Sequence, residues 1–342
     1  MQKIRFGVIG YGKFGHCHAR SINNINSAEL VAISARSEGS CCKAKEEFQI
    51  DTYTDYRELL KRRDIDAVSI VLPNNLHYRV AIESLEAGKH VLLEKPMALT
   101  INECQQIEAK AKEKRLKLYI GFEARLSSLW GRIKTIIEQG KIGEPLTASV
   151  ELWRGPYYRG SGDWRLSVGQ VGSWILEEPI HFFDLVRWYF NSIGEPETVY
   201  AKANSKIGQS NLTDNFLAVI GFPKNRYATI LFTLAAYEHH QIVKVIGDKG
   251  TLWANWSGAK ARVTKPEFSL EYFDGKEKNM VALDRTPGEL FELEEEIRRF
   301  TQNIINNKPP YVSTEDGIES VRLCLAAEES IRTGKIVKIK RL

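Results

Sequence analysis

The strongest constraint on the fold lies at the start of the chain. The apolar run Ile4 to Ile9 leads into Gly10-Tyr11-Gly12-Lys13-Phe14-Gly15, then a helix-forming stretch and a second apolar strand. A strand that turns through glycines into a helix and returns as a parallel strand reads as a dinucleotide-binding βαβ unit. Gly10 permits the tight turn out of the strand, Gly12 lets the backbone approach a pyrophosphate, and Gly15 lets the helix pack closely on the sheet. The helix N-terminus then presents backbone N–H groups to the phosphates.

The end of the second strand, Glu29 to Ala35, selects between the two nicotinamide cofactors. An acid there would hydrogen-bond the ribose 2′-hydroxyl of NAD, but the chain reads Ser34-Ala35-Arg36-Ser37. A cation flanked by hydroxyls suits a 2′-phosphate, which favours NADP and leaves NAD as the alternative. The competing reading makes Arg36 the cap of a surface turn. Asp51 and Asp55 follow the next helix and come too late to serve as the ribose acid.

With 342 residues, the chain is long enough for two domains with separate cores. Strands alternate with helices as far as residue 122. Ala67 to Leu72, His90 to Leu93 and Lys117 to Phe122 read as strands, and Tyr56 to Leu60, Tyr78 to Ala87 and Ile101 to Lys114 as helices. Thr100 and Glu103 form a capping box before the last of these. Such alternation requires right-handed crossovers and a doubly wound parallel sheet.

After a helix over Leu129 to Gln139 the texture changes. Strand-like segments follow at Leu146 to Arg154, Thr198 to Ala203, Asn215 to Phe222, Tyr227 to Leu234 and Ile242 to Ile246, with shorter ones near Thr251, Ala261 and Leu270. One long helix, Gly172 to Phe190, is expected among them, and helices Glu289 to Asn306 and Thr314 to Thr333 close the chain. The expected fold class is α/β. Residues 1–122 form an N-terminal Rossmann doubly wound parallel sheet that binds NAD(P). Residues 123–342 form a C-terminal α+β domain with a large, mainly antiparallel open sheet for substrate binding and oligomerisation. An open sheet needs cover, which points to a homodimer or homotetramer.

Composition narrows the partners. The net charge is +5, but the cations are dispersed among 43 acidic residues. Lys61-Arg62-Arg63 and the tail Lys338, Lys340, Arg341 read as solvated ends of elements, and without aromatic interleaving they do not suggest nucleic acid. Met1-Gln2-Lys3 runs straight into the first strand and no apolar run approaches a membrane span, so a cytoplasmic protein without signal peptide or membrane contact is expected. The five cysteines, Cys17, Cys41, Cys42, Cys104 and Cys324, show neither metal-ligand spacing nor a disulfide framework, and no metal is expected.

Two further segments carry chemistry. Glu94-Lys95-Pro96 stands at the carboxyl end of a buried strand, where open α/β sheets bind their ligands. A lysine there can touch both nicotinamide and substrate and stabilise a developing alkoxide; the plainer reading pairs it with Glu94. The proline leaves a cis or trans peptide open. Pro73, Asn74, Asn75 and His77, after the preceding strand, should border the cofactor. The second segment is Glu177-Glu178-Pro179-Ile180-His181-Phe182-Phe183-Asp184. If the helix persists around Pro179, spacing puts Glu177 and His181 on one face, and Asp184 can orient His181. A histidine beside a carboxylate can take a hydroxyl proton while hydride leaves the carbon; a core histidine bonded to Asp184 is the alternative.

From the glycine loop through Glu94-Lys95-Pro96 to His181-x-x-Asp184 and the sheet beyond, the chain resembles the glucose-fructose oxidoreductase, inositol dehydrogenase and MocA (Gfo/Idh/MocA) family. The resemblance implies oxidation of a hydroxyl on a sugar, sugar derivative or cyclitol, or the reverse reduction, with NAD or NADP. It also implies Lys95 and His181 as the catalytic pair, with Glu177 where the family usually has aspartate. Three departures stand out. Glu177-Glu178-Pro179-Ile180-His181 replaces the usual Asp-x-Gly-x-His, Glu123 beside Arg125 replaces a frequent asparagine, and the cofactor-selecting acid is missing.

Trp153 to Gly160 and Asp163-Trp164-Arg165 read as a glycine-rich loop over the cleft. Its Arg159, Trp164 and Arg165 are candidate substrate contacts or loop anchors. Glu123, Arg125, Glu178 and Asp184 complete the expected substrate set, and Tyr237, His239 and His240 are weaker candidates. Three rival functions share these features. They are a redox-neutral glycosidase that retains NAD, a non-catalytic NAD(P) sensor, and a reductase of imines or small carbonyls.

Overall fold

A computed structural model describes residues 3–206 and 212–340, so Met1, Gln2 and Arg341 lie outside the described residues. The chain divides into two compact units. The first takes residues 1–122, 159–172 and 293–321, and the second takes 123–158, 173–292 and 322–342.

The first unit holds a six-stranded, wholly parallel sheet. Its strands are β1 (Ile4–Ile9), β2 (Ala28–Ser34), β3 (Asp51–Tyr53), β4 (Ala67–Ile70), β5 (His90–Glu94) and β6 (Leu118–Gly121), in the order β3-β2-β1-β4-β5-β6. The order reverses at β1, the switch point outside which such sheets bind ligands. β3 escapes a periodicity reading because it is three residues long. Phe6, Ile22, Ile33 and Leu92 form the core of this unit, and Leu293, Ile297 and Phe300 of the late helix Glu289–Ile305 join it. Phe300 stands edge-on to Phe6 at 6.0 Å between ring centroids. The capping box at Thr100 and Glu103 forms as expected.

The second unit holds a nine-stranded mixed sheet among the described residues. Its strands are β7 (Pro145–Arg154), β8 (Thr198–Asn204), β9 (Asn215–Phe222), β10 (Arg226–Thr233), β11 (His239–Gly247), β12 (Thr251–Gly258), β13 (Glu267–Phe273), β14 (Lys278–Met280) and β15 (Val337–Lys338). The order is β14-β13-β12-β11-β7-β10-β9-β8-β15, antiparallel except for the β7–β10 pair. No strand forms near Ala261, where a polar turn leads to Pro266. Among the described residues, no helix is long and apolar enough to cross a membrane.

One expectation needs correction. Of the helix expected over Gly172 to Phe190 only the later part forms: a separate short helix, Val168–Val171, lies before the expected stretch, a turn follows, and the helix itself is Pro179–Tyr189. Gly172 ends the first with φ +77°. Pro179 opens the second at a position where a missing N–H does no harm but through which a helix from upstream would not continue undisturbed. Glu177 therefore precedes the helix and does not share a helical face with His181.

Candidate active site

In the first unit the glycine loop has the shape a dinucleotide requires. Gly10 has φ +103°, and a Cβ there would lie 2.1 Å from the Val71 carbonyl oxygen. A Cβ on Gly15 would lie 1.9 Å from the Gly10 carbonyl oxygen, so neither position admits a side chain. A Cβ on Gly12 would meet nothing within 4 Å, which leaves the backbone open to an approaching phosphate. Gly12 is also the N-cap of helix Lys13–Asn23 and makes no side-chain cap bond. The first-turn N–H groups therefore suit an anion. The open backbone at Gly12 and this helix start fit a nicotinamide dinucleotide.

The loop is anchored at both edges. The Tyr11 hydroxyl donates to Glu47 at 3.0 Å, and His16 Nε2 meets the same carboxylate at 2.8 Å. Phe14 packs against the core of the unit and meets His18 edge-on at 4.8 Å. Ser34 is buried, and its carbonyl accepts the Gly10 N–H at 2.8 Å, closing the turn. The Ser37 hydroxyl accepts from Ser40 N and caps helix Glu38–Phe48. Arg36 is exposed at the end of β2, with Gly162 of the 159–172 segment as a near neighbour.

Residues after β4 and β5 divide into outward and inward groups. Asn74 is buried and donates to the Val171 carbonyl at 2.9 Å, while Asn75 is exposed and Pro73 is half-buried. His77 is fully buried. Its Nδ1 lies 2.6 Å from the Pro96 carbonyl and its Nε2 lies 3.0 Å from the Leu72 carbonyl, and burial lowers its pKa. His77 thus braces the two strand-end turns from inside instead of lining a cleft. The Glu94 side chain also turns inward, with Oε1 3.0 Å from His18 Nε2. Glu296, buried nearby, is pushed well above the usual carboxylate range, first by burial and then by the charge of Glu94. Lys95 is half-buried at the carboxyl end of β5, and the Lys95–Pro96 peptide is cis.

In the second unit His181 lies in the first turn of helix Pro179–Tyr189, its side chain 9 % exposed, with Nε2 3.6 Å from Glu123 Oε1. One turn further along the helix, Asp184 accepts two bonds from Arg125, at 2.7 and 2.6 Å. The Arg125 guanidinium also lies 5.2 Å from the Trp188 ring centroid. Asp184 is therefore engaged with Arg125. Arg125 and Asp184 are nearly inaccessible and serve the site as a clamp.

Glu178 points into a second buried cluster. Its carboxylate meets Arg154 and stands 3.0 Å from His239 Nε2, while its backbone N–H donates to the Tyr157 hydroxyl. Burial alone would raise the Glu178 pKa, yet Arg154 and His239 hold it well below the usual range. Burial pushes the Tyr157 hydroxyl well above its ordinary value. Sequence reasoning missed the role of Arg154, because only the β7–β11 register brings Arg154 opposite His239.

Arg159, Trp164 and Arg165 fall in the first unit, and Glu123, Arg125, Glu178 and Asp184 in the second. Arg165 stacks 4.2 Å from the Trp164 ring centroid, and Arg159 pairs with Asp163 at 3.4 Å. His239 and His240 sit within β11, and Tyr237 before it is largely exposed.

A phosphate cradle at the switch point of a parallel sheet, with a lysine at the carboxyl end of the same sheet, defines an oxidoreductase that uses a nicotinamide dinucleotide. The pattern of the oxidoreductase family's NAD-binding Rossmann fold matches residues 4–122, and that of its C-terminal alpha/beta domain matches residues 134–339. The chain belongs to the Gfo/Idh/MocA oxidoreductase family. It is similar to the uncharacterized oxidoreductase YrbE of Bacillus subtilis, with 31% identity over 346 residues covering 99% of this chain and 97% of that one. The myo-inositol 2-dehydrogenase of Thermotoga maritima is 29% identical, with 99% of each chain covered. A crystal structure of a probable dehydrogenase from Thermotoga maritima superposes with a TM-score of 0.83 at 27% identity, covering 98% of this chain and 99% of that one.

Proposed function

We propose that this oxidoreductase interconverts a secondary hydroxyl and the matching ketone on a sugar, sugar derivative or cyclitol, with NADP preferred over NAD. The observation that carries the reading is the open backbone at Gly12 in the same sheet that ends in the half-buried Lys95. Similarity along the whole chain to a myo-inositol 2-dehydrogenase supports the cyclitol class.

A bound nicotinamide dinucleotide supplies the hydride acceptor or donor. Residues 1–122 hold it. The N–H groups around Gly12, Lys13 and Phe14 bind the pyrophosphate, Arg36 and Ser37 take the 2′-phosphate, and Pro73, Asn75 and the backbone at Glu94 frame the rest. The domain over 123–342 supplies substrate contacts and the oligomer interface. Lys95 Nζ donates a hydrogen bond to the substrate oxygen and stabilises its developing negative charge. His181 takes the hydroxyl proton in oxidation and returns it in reduction, and Glu177 hydrogen-bonds a neighbouring hydroxyl.

The test is a fluorescence titration with NADPH and NADH, followed by a polyol and sugar panel scored by NAD(P)H absorbance. Tighter NADPH binding and turnover of a cyclitol or sugar is the expected result. Arg36→Ala should weaken NADPH about 10- to 100-fold, the size of one charge-assisted contact, and leave NADH unchanged. Tighter NADH binding, unaffected by Arg36→Ala, would overturn the cofactor preference. A tightly retained cofactor with no net turnover would point to the redox-neutral glycosidase.

The outer face of the nine-stranded sheet is the proposed interface of a homodimer or homotetramer. Trp153, Leu217, Tyr227, Ile246 and Trp253 are exposed there, and cross-strand register puts them on one side. So many exposed apolar side chains on one sheet face call for cover. Light scattering of the purified protein should give a dimer or tetramer mass, and a monomer at micromolar concentration would remove the proposal.

A further inference from the structure

We infer that Glu123 is a positioning residue that stabilises the protonated form of His181, and that the Arg125–Asp184 clamp holds it in place. The inference rests on the proposed role of His181 as proton acceptor. Its own basis is geometric.

Glu123 opens the short turn Glu123–Leu126, which also carries Arg125. Arg125 locks that turn to helix Pro179–Tyr189 through its two bonds to Asp184, with side chains 5 % and 1 % exposed. His181 precedes Asp184 by one helical turn, and Glu123 precedes Arg125 by two residues. Closing the clamp therefore brings Glu123 to His181, at 3.6 Å and with side chains 8 % and 9 % exposed. A planar guanidinium held by two bonds resists rotation, so the spacing is set by a rigid element.

Two other acids of this segment, Asp184 and Glu178, have cationic partners of their own. Asp184, on the helix of His181, is neutralised by Arg125. Glu178, just upstream, is neutralised by Arg154 of β7 and by His239 of β11, beside Tyr157. Glu177 lies in the turn before the helix. Glu123 stands at ion-pair distance from His181, and a carboxylate in so little water favours the imidazolium. In oxidation the substrate O–H bond breaks and its proton passes to His181. The carbon–oxygen double bond forms as hydride leaves for the oxidised dinucleotide. Glu123 stays a carboxylate throughout and balances the imidazolium charge, and in reduction the same proton returns to the alkoxide oxygen.

Glu123→Gln keeps the shape and removes the charge. The acid limb of the kcat/KM profile for oxidation should then move about one pH unit lower, because His181 loses its proton more readily without the carboxylate. The alkaline limb for reduction should move the same way. In protein labelled at histidine, the NMR titration midpoint of His181, assigned with a His181→Gln sample, should fall by the same amount. Glu123→Asp, with its carboxylate drawn back, should give a smaller shift in the same direction, and it serves in place of Glu123→Gln if that variant does not fold. A raised substrate KM with both limbs and the NMR midpoint unmoved would overturn the inference and make Glu123 a substrate contact. If the wild type turns over no panel substrate, the proposed function fails, and the NMR midpoint alone still decides whether Glu123 stabilises charged His181.

Discussion

Replacing Lys95 with alanine is expected to reduce kcat by about 10²- to 10⁴-fold, the range supplied by a positioned acid–base group. Cofactor affinity should stay as it was. The reason for the split is where the lysine stands. It leaves the end of β5 half-buried, whereas the groups that shape the pyrophosphate cradle are backbone atoms at Gly10, Gly12 and Gly15 on the β1 side of the sheet. His181→Ala should cost a similar factor. The double variant should lose little more than the worse single one, because residues that act on one proton transfer are strongly non-additive. Steady-state rates on the best panel substrate and fluorescence titration of each variant check this. Near-normal turnover in either single variant would remove that residue from the mechanism.

Asp184→Ala is expected to destabilise the protein by about 3–5 kcal/mol, because it leaves the Arg125 guanidinium charged and uncompensated in a buried site. Both side chains of the pair are at most 5 % exposed, so solvent screens little of the interaction. The exposed pair Arg159–Asp163, with side chains 69 % and 58 % exposed, is the internal control, and Asp163→Ala should cost less than about 1 kcal/mol. Replacing both partners, as Arg125→Met with Asp184→Leu, should recover much of the loss, since the desolvation cost disappears with the charges. Urea unfolding followed by circular dichroism measures all three. Equal losses for Asp184→Ala and Asp163→Ala would show that burial of the clamp adds nothing.

The clamp also explains why much of the site could not be read from the chain. Arg125 and Asp184 are 59 positions apart, and each invites a substrate role when read alone. Glu178 invites one too, as an acid beside a catalytic histidine. The structure instead compensates Glu178 with Arg154 and His239, and that grouping depends on the strand register that sets Arg154 opposite His239. A shift of one residue in that register would put His239 and Arg154 on opposite faces of the sheet. Similarly, the sequence pattern suggests one helix that starts at Gly172 and persists around Pro179, yet Gly172 takes φ +77° and the helix begins only at Pro179. Backbone conformation at those two residues outweighed the pattern.

What the sequence by itself determined was local. The dinucleotide loop, the parallel alternation of strands and helices, the capping box at Thr100 and the lysine at the end of β5 each depend on residues within a few turns of one another. Backbone sterics and short-range hydrogen bonding decide them. The tertiary structure alone decided which charges compensate one another. It set Asp184 on Arg125, Glu178 between Arg154 and His239, Glu94 against His18, and Glu123 against His181. The physical reason is that a charge removed from water is governed by its nearest neighbours in space, and pairing between distant segments is specified by packing and register, which leave no periodic trace in the sequence.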